Sequence, residues 1–151
     1  MCDYSLHAVE TRPATVGDQL ISASFTNCFT RGFTAVGEPQ IAVCLKPGTE
    51  LAFARDVELD HGFGRLLPSF GFGRIAERVA RFRKINESEP EVHHDALEFP
   101  SGRIVLVTRL CEGQVATVLQ VPAGSQPAHG EHAEAEAAAV LQNEHAAALI
   151  V

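Results

Sequence analysis

The first residues of the chain bring a thiol, a carboxylate and an imidazole close together, at Cys2, Asp3 and His7. Removal of Met1 would leave Cys2 with a free α-amine beside its thiol. That pair chelates metal ions, and it also forms a nucleophile whose own amine acts as the base. The N-terminus therefore predicts either metal ligation or covalent catalysis by Cys2, as in an N-terminal-nucleophile enzyme.

A second cluster, Val92-His-His-Asp-Ala-Leu-Glu98, lies where a predicted loop enters a predicted strand. Side chains alternate between the faces of a strand, so His93 shares a face with Asp95. A His-x-Asp pair binds a metal or forms a base with the carboxylate that orients it. The other interpretation is a solvated loop with His94 packed at a sheet edge.

Together the two clusters predict a metal site with mixed thiolate and imidazole ligands, which would suit copper, zinc or iron. The site requires the fold to bring the N-terminus beside the His93 loop. The predicted ligands are Cys2, His93 and His94, with Asp95, His7 and Asp3 as further or supporting ligands.

Alternating apolar residues and regularly spaced turns predict that these clusters sit on a mainly-β domain, a small antiparallel barrel or sandwich. Pro47-Gly48 and Pro100-Ser-Gly102 are the clearest turns. The predicted strands are Tyr4 to Val9, Gln19 to Thr26, Thr30 to Val36, Gln40 to Leu45, Thr49 to Ala54, Ala96 to Phe99, Arg103 to Leu110 and Gln114 to Val121.

One amphipathic helix is predicted near residues 72–87, between the two β blocks. Ile75, Val79 and Phe82 recur at helical spacing, which favours one buried face. The opposite face is basic, which suggests a non-catalytic interaction module that uses this helix and the acidic tail. The basic residues of the predicted helix are Arg74, Arg78, Arg81, Arg83 and Lys84.

Composition divides the chain into a domain at 1–122, a Gly/Ser/Pro linker at 123–130, and an Ala/Glu/His tail at 131–151. The tail is rich in alanine and is predicted to be helical. With 46% hydrophobic and 21% charged residues, the chain has an ordinary globular composition. A single domain is therefore expected, followed by a separate tail.

Charge and hydropathy limit the partners to be expected. The net charge of −7 argues against nucleic-acid binding, which needs a basic face. No apolar run approaches the roughly 20 residues that span a bilayer, and no signal peptide is evident, so a cytoplasmic protein is expected. The expected partners are a small molecule or a metal ion, together with a homo-oligomer formed through the tail.

The four cysteines form no C-x-x-C pair, and disulfides are not expected in a cytosolic protein. Cys44, within the apolar run Ile41-Ala-Val-Cys-Leu45, is predicted to be a small buried core residue.

Four segments resemble a group of short, uncharacterised bacterial proteins, mainly from rhizobia and their relatives, that begin with the same six residues. The resemblance covers most of residues 1–122, omits the tail and implies no known activity. It therefore supports the domain boundary. The segments are Met1-Cys-Asp-Tyr-Ser-Leu6, Ala42-Val-Cys-Leu-x-Pro-Gly-Thr-Glu50, His93-His-Asp-Ala-Leu-Glu-Phe-Pro100 and Glu112-Gly-Gln-x-Ala-Thr-Val-Leu-Gln120.

Overall fold

The computed structural model describes residues 9–26, 30–60 and 73–123, and short strands joined by tight turns make up most of these residues. Glycines permit several of these turns; Gly102, for example, has φ +82° in the hairpin after Phe99. The strands are β1 Glu10–Pro13, β2 Gln19–Ser24, β3 Arg31–Ala35, β4 Glu38–Cys44, β5 Glu50–Phe53, β6 Val57–Glu58, β7 Arg74–Ile75, β8 Val79–Lys84, β9 Asp95–Glu98, β10 Ile104–Leu106 and β11 Val115–Gln120.

Nine of these strands form one sheet in the order β1-β4-β3-β2-β11-β5-β8-β9-β10, and β6 pairs with β7 separately. Neighbouring strands are antiparallel except β1 and β4, which are parallel. The mainly-β prediction is confirmed. The closed barrel is wrong for the described residues, because β1 and β10 form the two edges of the sheet and do not pair with each other.

The sheet curls around one main hydrophobic core. Alternate residues point inward along the central strands, such as Ala116 and Val118 of β11 and Leu51 and Phe53 of β5. A 3-10 helix, Val107–Arg109, follows β10 and packs against β3, so the far end of the sheet returns toward its first half. The strand faces thereby enclose one main core without closing the ladder of hydrogen bonds, and Phe25 and Ala42 form a second, small buried cluster.

The helix predicted near residues 72–87 is wrong, because Arg74–Ile75 and Val79–Lys84 are strands. Ile75 and Phe82 are buried as the helical pattern required, but Val79 is 43% exposed. Ala80 is buried instead, and the pair Ala80 and Phe82 has the two-residue period of a strand.

The basic side chains of this segment are neutralised by carboxylates on neighbouring parts of the sheet. Arg81 donates to Glu50 at 2.8 Å, since the two residues are paired directly across β8 and β5. The remaining ion pairs are Arg83 with Glu98, Arg78 with Asp56, Arg74 with Glu58 and Lys84 with Asp95. The basic face proposed for an interaction module is therefore already paired.

Two further expectations need correction. Arg12-Pro13 was expected to end the first strand, but both residues belong to β1. An edge strand tolerates proline because the missing N–H costs no ladder bond. Cys44 is half-buried and disulfide-bonded, so it is not the free core thiol that the sequence predicted.

Residues 1–8 and 124–151 lie outside the described residues. Most of the predicted strand from Tyr4 to Val9, the predicted linker and the predicted tail therefore stay predictions. Within the described ranges, no helix has the length and apolar character that crossing a membrane would require.

Candidate functional site

The first predicted cluster cannot be placed, because Cys2, Asp3 and His7 lie outside the described residues. The second cluster lies within the described residues, and His93 makes different contacts from His94 and Asp95. Across residues 9–26, 30–60 and 73–123, no three His, Cys, Asp or Glu side chains are grouped closely enough to hold a metal ion. The metal site as predicted therefore depends on residues beyond these ranges.

His94 and Asp95 make structural contacts. His94 Nδ1 lies 3.0 Å from the carbonyl oxygen of Ile85, and this contact requires the proton on Nδ1 because a carbonyl only accepts. Asp95 pairs with Lys84, whose ammonium also lies 5.8 Å from the centre of the Phe82 ring. Both contacts fix the start of β9 against the end of β8.

His93 lies apart from these contacts, in an open cleft of about 400 Å³. The described residues that line it come from three separate parts of the chain, and they combine an acid, an imidazole, a hydroxyl and a guanidinium. They are Asp60, His93, Leu106, Thr108 and Arg109. The cleft therefore gathers polar side chains at the point where β10 passes into the 3-10 helix.

Backbone pairing fixes Asp60 beside Arg109. The Asp60 N–H donates to the Arg109 carbonyl oxygen at 2.7 Å, and the Cys111 N–H donates to the Glu58 carbonyl oxygen at 2.9 Å. Leu59 and Leu110 form a bridge between these two bonds. The chain after β6 thus runs antiparallel to the chain after the 3-10 helix and forms one wall of the cleft.

Arg31 offsets the negative charge of Asp60. Its Nη2 donates to Asp60 Oδ2 at 2.7 Å, and its Nη1 donates to the Leu110 carbonyl oxygen at 2.5 Å. Glu112 lies 3.9 Å from Arg31 Nε on the other side. Asp60 is therefore paired with Arg31, which is not among the described residues that line the cleft, and not with Arg109, which lines it.

The side chain of Arg109 has no such partner among the residues that the structure describes. Within the described ranges it makes no ion pair and no side-chain hydrogen bond, in contrast to the arginines of β7 and β8. The side chains of Arg55 and Arg103 also lack an ion pair and a side-chain hydrogen bond in the described ranges, but of these three arginines only Arg109 lines the cleft. An uncompensated guanidinium beside an imidazole and a hydroxyl is a set of donors suited to an anion.

Cys111 adjoins this region but is poorly suited to nucleophilic chemistry. Burial raises the pKa of the Cys111 thiol, the carboxylates of Asp60 and Glu58 raise it further, and Arg31 acts in the opposite direction. Since the thiolate is the reactive form, the local charges keep this free cysteine in its less reactive state.

Sequence reasoning found His93 and missed its neighbours in the cleft. Asp60, Thr108 and Arg109 carry no shared motif, and they reach His93 only because the pairing of residues 58–60 with 109–111 folds the chain back. One feature of the sequence distinguishes Arg109: it is the last Lys or Arg before the acidic tail.

Comparison of the chain with protein-family models, curated proteins and solved structures finds no match to any of them.

Proposed function

We propose that this protein binds a small anionic molecule, a carboxylate or a phosphate, in the cleft around His93. The observation that carries the proposal is Arg109, a guanidinium without an ion-pair partner among the described residues, in a cleft that also contains His93 and Thr108. Arginine binds carboxylate and phosphate through two parallel N–H donors, which gives both affinity and orientation.

The charges of the surroundings favour this ligand class. Six arginines in the described ranges are paired with carboxylates, so the protein generally satisfies its guanidinium groups internally. Asp60 would repel an anion if it were unpaired, but Arg31 holds it at 2.7 Å. The imidazole of His93 and the hydroxyl of Thr108 then supply further donors to the same ligand.

Titration of the ¹⁵N-labelled protein with phosphate and, separately, with glutarate tests the proposal and distinguishes the two sources of negative charge. We expect shifts at the amides of His93, Thr108 and Arg109 with at least one of the two anions. Arg109→Gln should weaken the affinity by about 10- to 100-fold, since a hydrogen bond to a charged group contributes about 1.5–3 kcal/mol.

Arg103→Gln is the matched control, because Arg103 is also exposed and unpaired in the described ranges and its loss changes the net charge equally. It should change the affinity by less than about twofold at moderate salt, where distant charges are screened. Equal losses in the two variants, or shifts confined to other parts of the sheet, would contradict an anion site at His93.

A metal-binding site is the second candidate, and His93 and Asp60 favour it because both line one cleft and both are metal-ligand types. A site needs more ligands, so this proposal calls on Cys2, Asp3 and His7 from outside the described residues. A metalloenzyme would be a catalytic form of this arrangement. An enzyme that uses Cys2 as the nucleophile and its own α-amine as the base is a separate catalytic alternative.

Elemental analysis of protein purified without a histidine tag tests the metal proposal. A stoichiometric metal should be lost in His93→Ala and in Cys2→Ser, while His94→Ala should retain it, because His94 is held by Ile85 away from the cleft. Absence of metal in the wild-type protein, after purification in buffers supplemented with zinc or copper, would overturn this candidate.

A further inference from the structure

Strand β10 leaves unused hydrogen-bonding groups at one edge of the sheet. The Phe99 N–H donates to the Arg103 carbonyl oxygen, and β10 pairs with β9 with Val105 opposite Leu97. Hydrogen-bonded and non-hydrogen-bonded residue pairs alternate along an antiparallel ladder. The backbone N–H and carbonyl of Val105 therefore point toward β9, while those of Ile104 and Leu106 point away from it.

Three of these groups are open to a partner strand: the N–H and carbonyl of Ile104 and the N–H of Leu106. The Leu106 carbonyl begins the 3-10 helix, where it accepts within the turn. In the described ranges the open groups make no hydrogen bond with another segment. The Ile104 side chain is 43% exposed, so the same edge also offers apolar surface.

The opposite edge of the sheet is blocked. Strand β1 contains Pro13, which has no N–H to donate, and the Arg12 side chain is fixed by Asp18 and Glu38. Proline and fixed charges on edge strands discourage pairing with other chains. Strand β10 contains neither, so the two edges differ in their capacity to accept a further strand.

The charges beside β10 select the kind of strand that would fit. Arg103 precedes the strand and Arg109 ends the 3-10 helix that follows it, and both side chains lack ion-pair partners in the described part of the chain. The apolar residues Ile104 and Leu106 lie between them. A complementary segment would be extended, apolar in its middle and acidic at its ends.

Leu106 connects this edge to the proposed anion site, because it belongs to β10 and also lines the His93 cleft. A carboxylate carried on a strand that pairs with β10 would therefore enter the cleft from its Leu106 side.

We infer that β10 accepts an acidic, extended polypeptide from a partner protein as an additional strand, and that a carboxylate of this polypeptide occupies the His93 cleft. The inference rests on the proposed function, since it identifies the anion of that site as a side chain of a peptide. Backbone hydrogen bonds would provide the pairing, and Arg103 and Arg109 would select acidic sequences.

Binding of a fluorescent peptide, acetyl-Glu-Val-Thr-Val-Glu-amide, to the full-length protein tests the inference by polarisation. We expect the peptide to bind, and its affinity to fall at least tenfold when the three central residues are N-methylated, because N-methylation removes their backbone N–H donors. Replacement of both glutamates by lysine should have a similar effect, because it reverses the charge. These two peptides need no change in the protein.

Ile104→Pro should also weaken peptide binding at least tenfold, because it removes an edge N–H that the ladder with β9 does not use. Ile104→Ala keeps this N–H and should cost only a few-fold, and Val79→Ala is a control for an equally exposed residue on an internal strand. Ile104→Pro should leave phosphate and glutarate binding unchanged, whereas Arg109→Gln should weaken both kinds of ligand.

Equal binding of the acidic, basic and N-methylated peptides would overturn strand addition at β10. Failure of the acidic peptide to bind while the small anions still bind would overturn it too, and would leave the proposed function standing. Concentration-dependent dimerisation that is lost in Ile104→Pro, without peptide binding, would show that the edge pairs with a second copy instead.

Discussion

At the scale of single residues, Arg12 links three parts of the first half of the sheet. It donates from Nη1 to Asp18 at 2.8 Å and from Nε to Glu38 at 2.6 Å, while Asp18 also accepts from the Thr15 N–H at 2.9 Å. Burial acts to raise the pKa of Asp18, but the hydrogen bonds from Arg12 and Thr15 outweigh it and lower the pKa below its ordinary value of 3.8.

This lowered pKa makes the contribution of Asp18 to stability dependent on pH. The contribution is complete above 3.8 and is lost as the pH falls through the lower value of the folded state. Asp18→Asn should therefore reduce the free energy of unfolding by about 1 kcal/mol near neutral pH. The difference from wild type should shrink in acid.

Urea denaturation of both proteins across the acid range measures this difference. Glu87→Gln, which alters an exposed carboxylate in a turn, serves as the control and should show no comparable pH dependence. A penalty for Asp18→Asn that stays constant down to the lowest pH would contradict the account.

At the scale of elements, β8 alternates between a buried and a charged face. Ala80 and Phe82 are 2% exposed, while Arg81 and Arg83 pair with Glu50 and Glu98 on the neighbouring strands. The buried residues fix the strand in the core. The ion pairs join β8 to the strands on either side, Arg81 to its direct partner Glu50 and Arg83 diagonally to Glu98, but exposed pairs add little to stability.

Phe82→Ala should lower the free energy of unfolding by about 3–5 kcal/mol, because it leaves a cavity in the core. Arg83→Gln, one residue further along the same strand, should lower it by less than about 1 kcal/mol. Chemical denaturation monitored by circular dichroism compares the two variants. Similar losses in both would mean that the charged face, and not the core, holds this strand.

The same strand shows how far the sequence could predict the fold. Most strands were found, because runs such as Val115 to Gln120 alternate and are bounded by turns. The run from Ile75 to Phe82 has apolar residues at both two- and three-residue spacing, so local pattern could not separate a helix from a strand. Pairing with Glu50 and Glu98, distant in sequence, decides for the strand.

For the candidate site, residue type alone was informative only at His93. The alternation of side chains between the two faces of a strand was expected to place His93 and Asp95 on one face. Strand β9 begins only at Asp95, so this alternation does not extend to His93. The point at which β9 begins could not be predicted from the local sequence.

At the scale of the whole molecule, one buried hydroxyl joins residues far apart in the chain. Ser22 is 1% exposed; its Oγ donates to the Cys111 carbonyl oxygen at 2.7 Å and accepts from the Gln114 N–H at 3.0 Å. Backbone bonds from Gly113 and to Gln114 reinforce this junction. The turn before β11 is thereby fastened to β2 in the first half of the sheet.

Ser22→Ala should lower the free energy of unfolding by about 1–3 kcal/mol, because it leaves the Cys111 carbonyl and the Gln114 N–H without this partner in a buried position. Ser24→Ala, on the same strand, removes an exposed hydrogen bond to Glu112 that water can replace, and should cost less than about 0.5 kcal/mol. Thermal denaturation checks both variants. A loss no larger at Ser22 than at Ser24 would contradict a structural role for the junction.

The position of β11 in the sheet determines when the sheet can form during synthesis of the chain. It is the last of the described strands in sequence, yet it lies between β2 and β5. A nascent chain on the ribosome therefore cannot complete the sheet until residues 115–120 have emerged, and pairing over such separations is slow. Until then β2 and β5 each present an open inner edge, so chains interrupted before residue 115 should aggregate and be degraded.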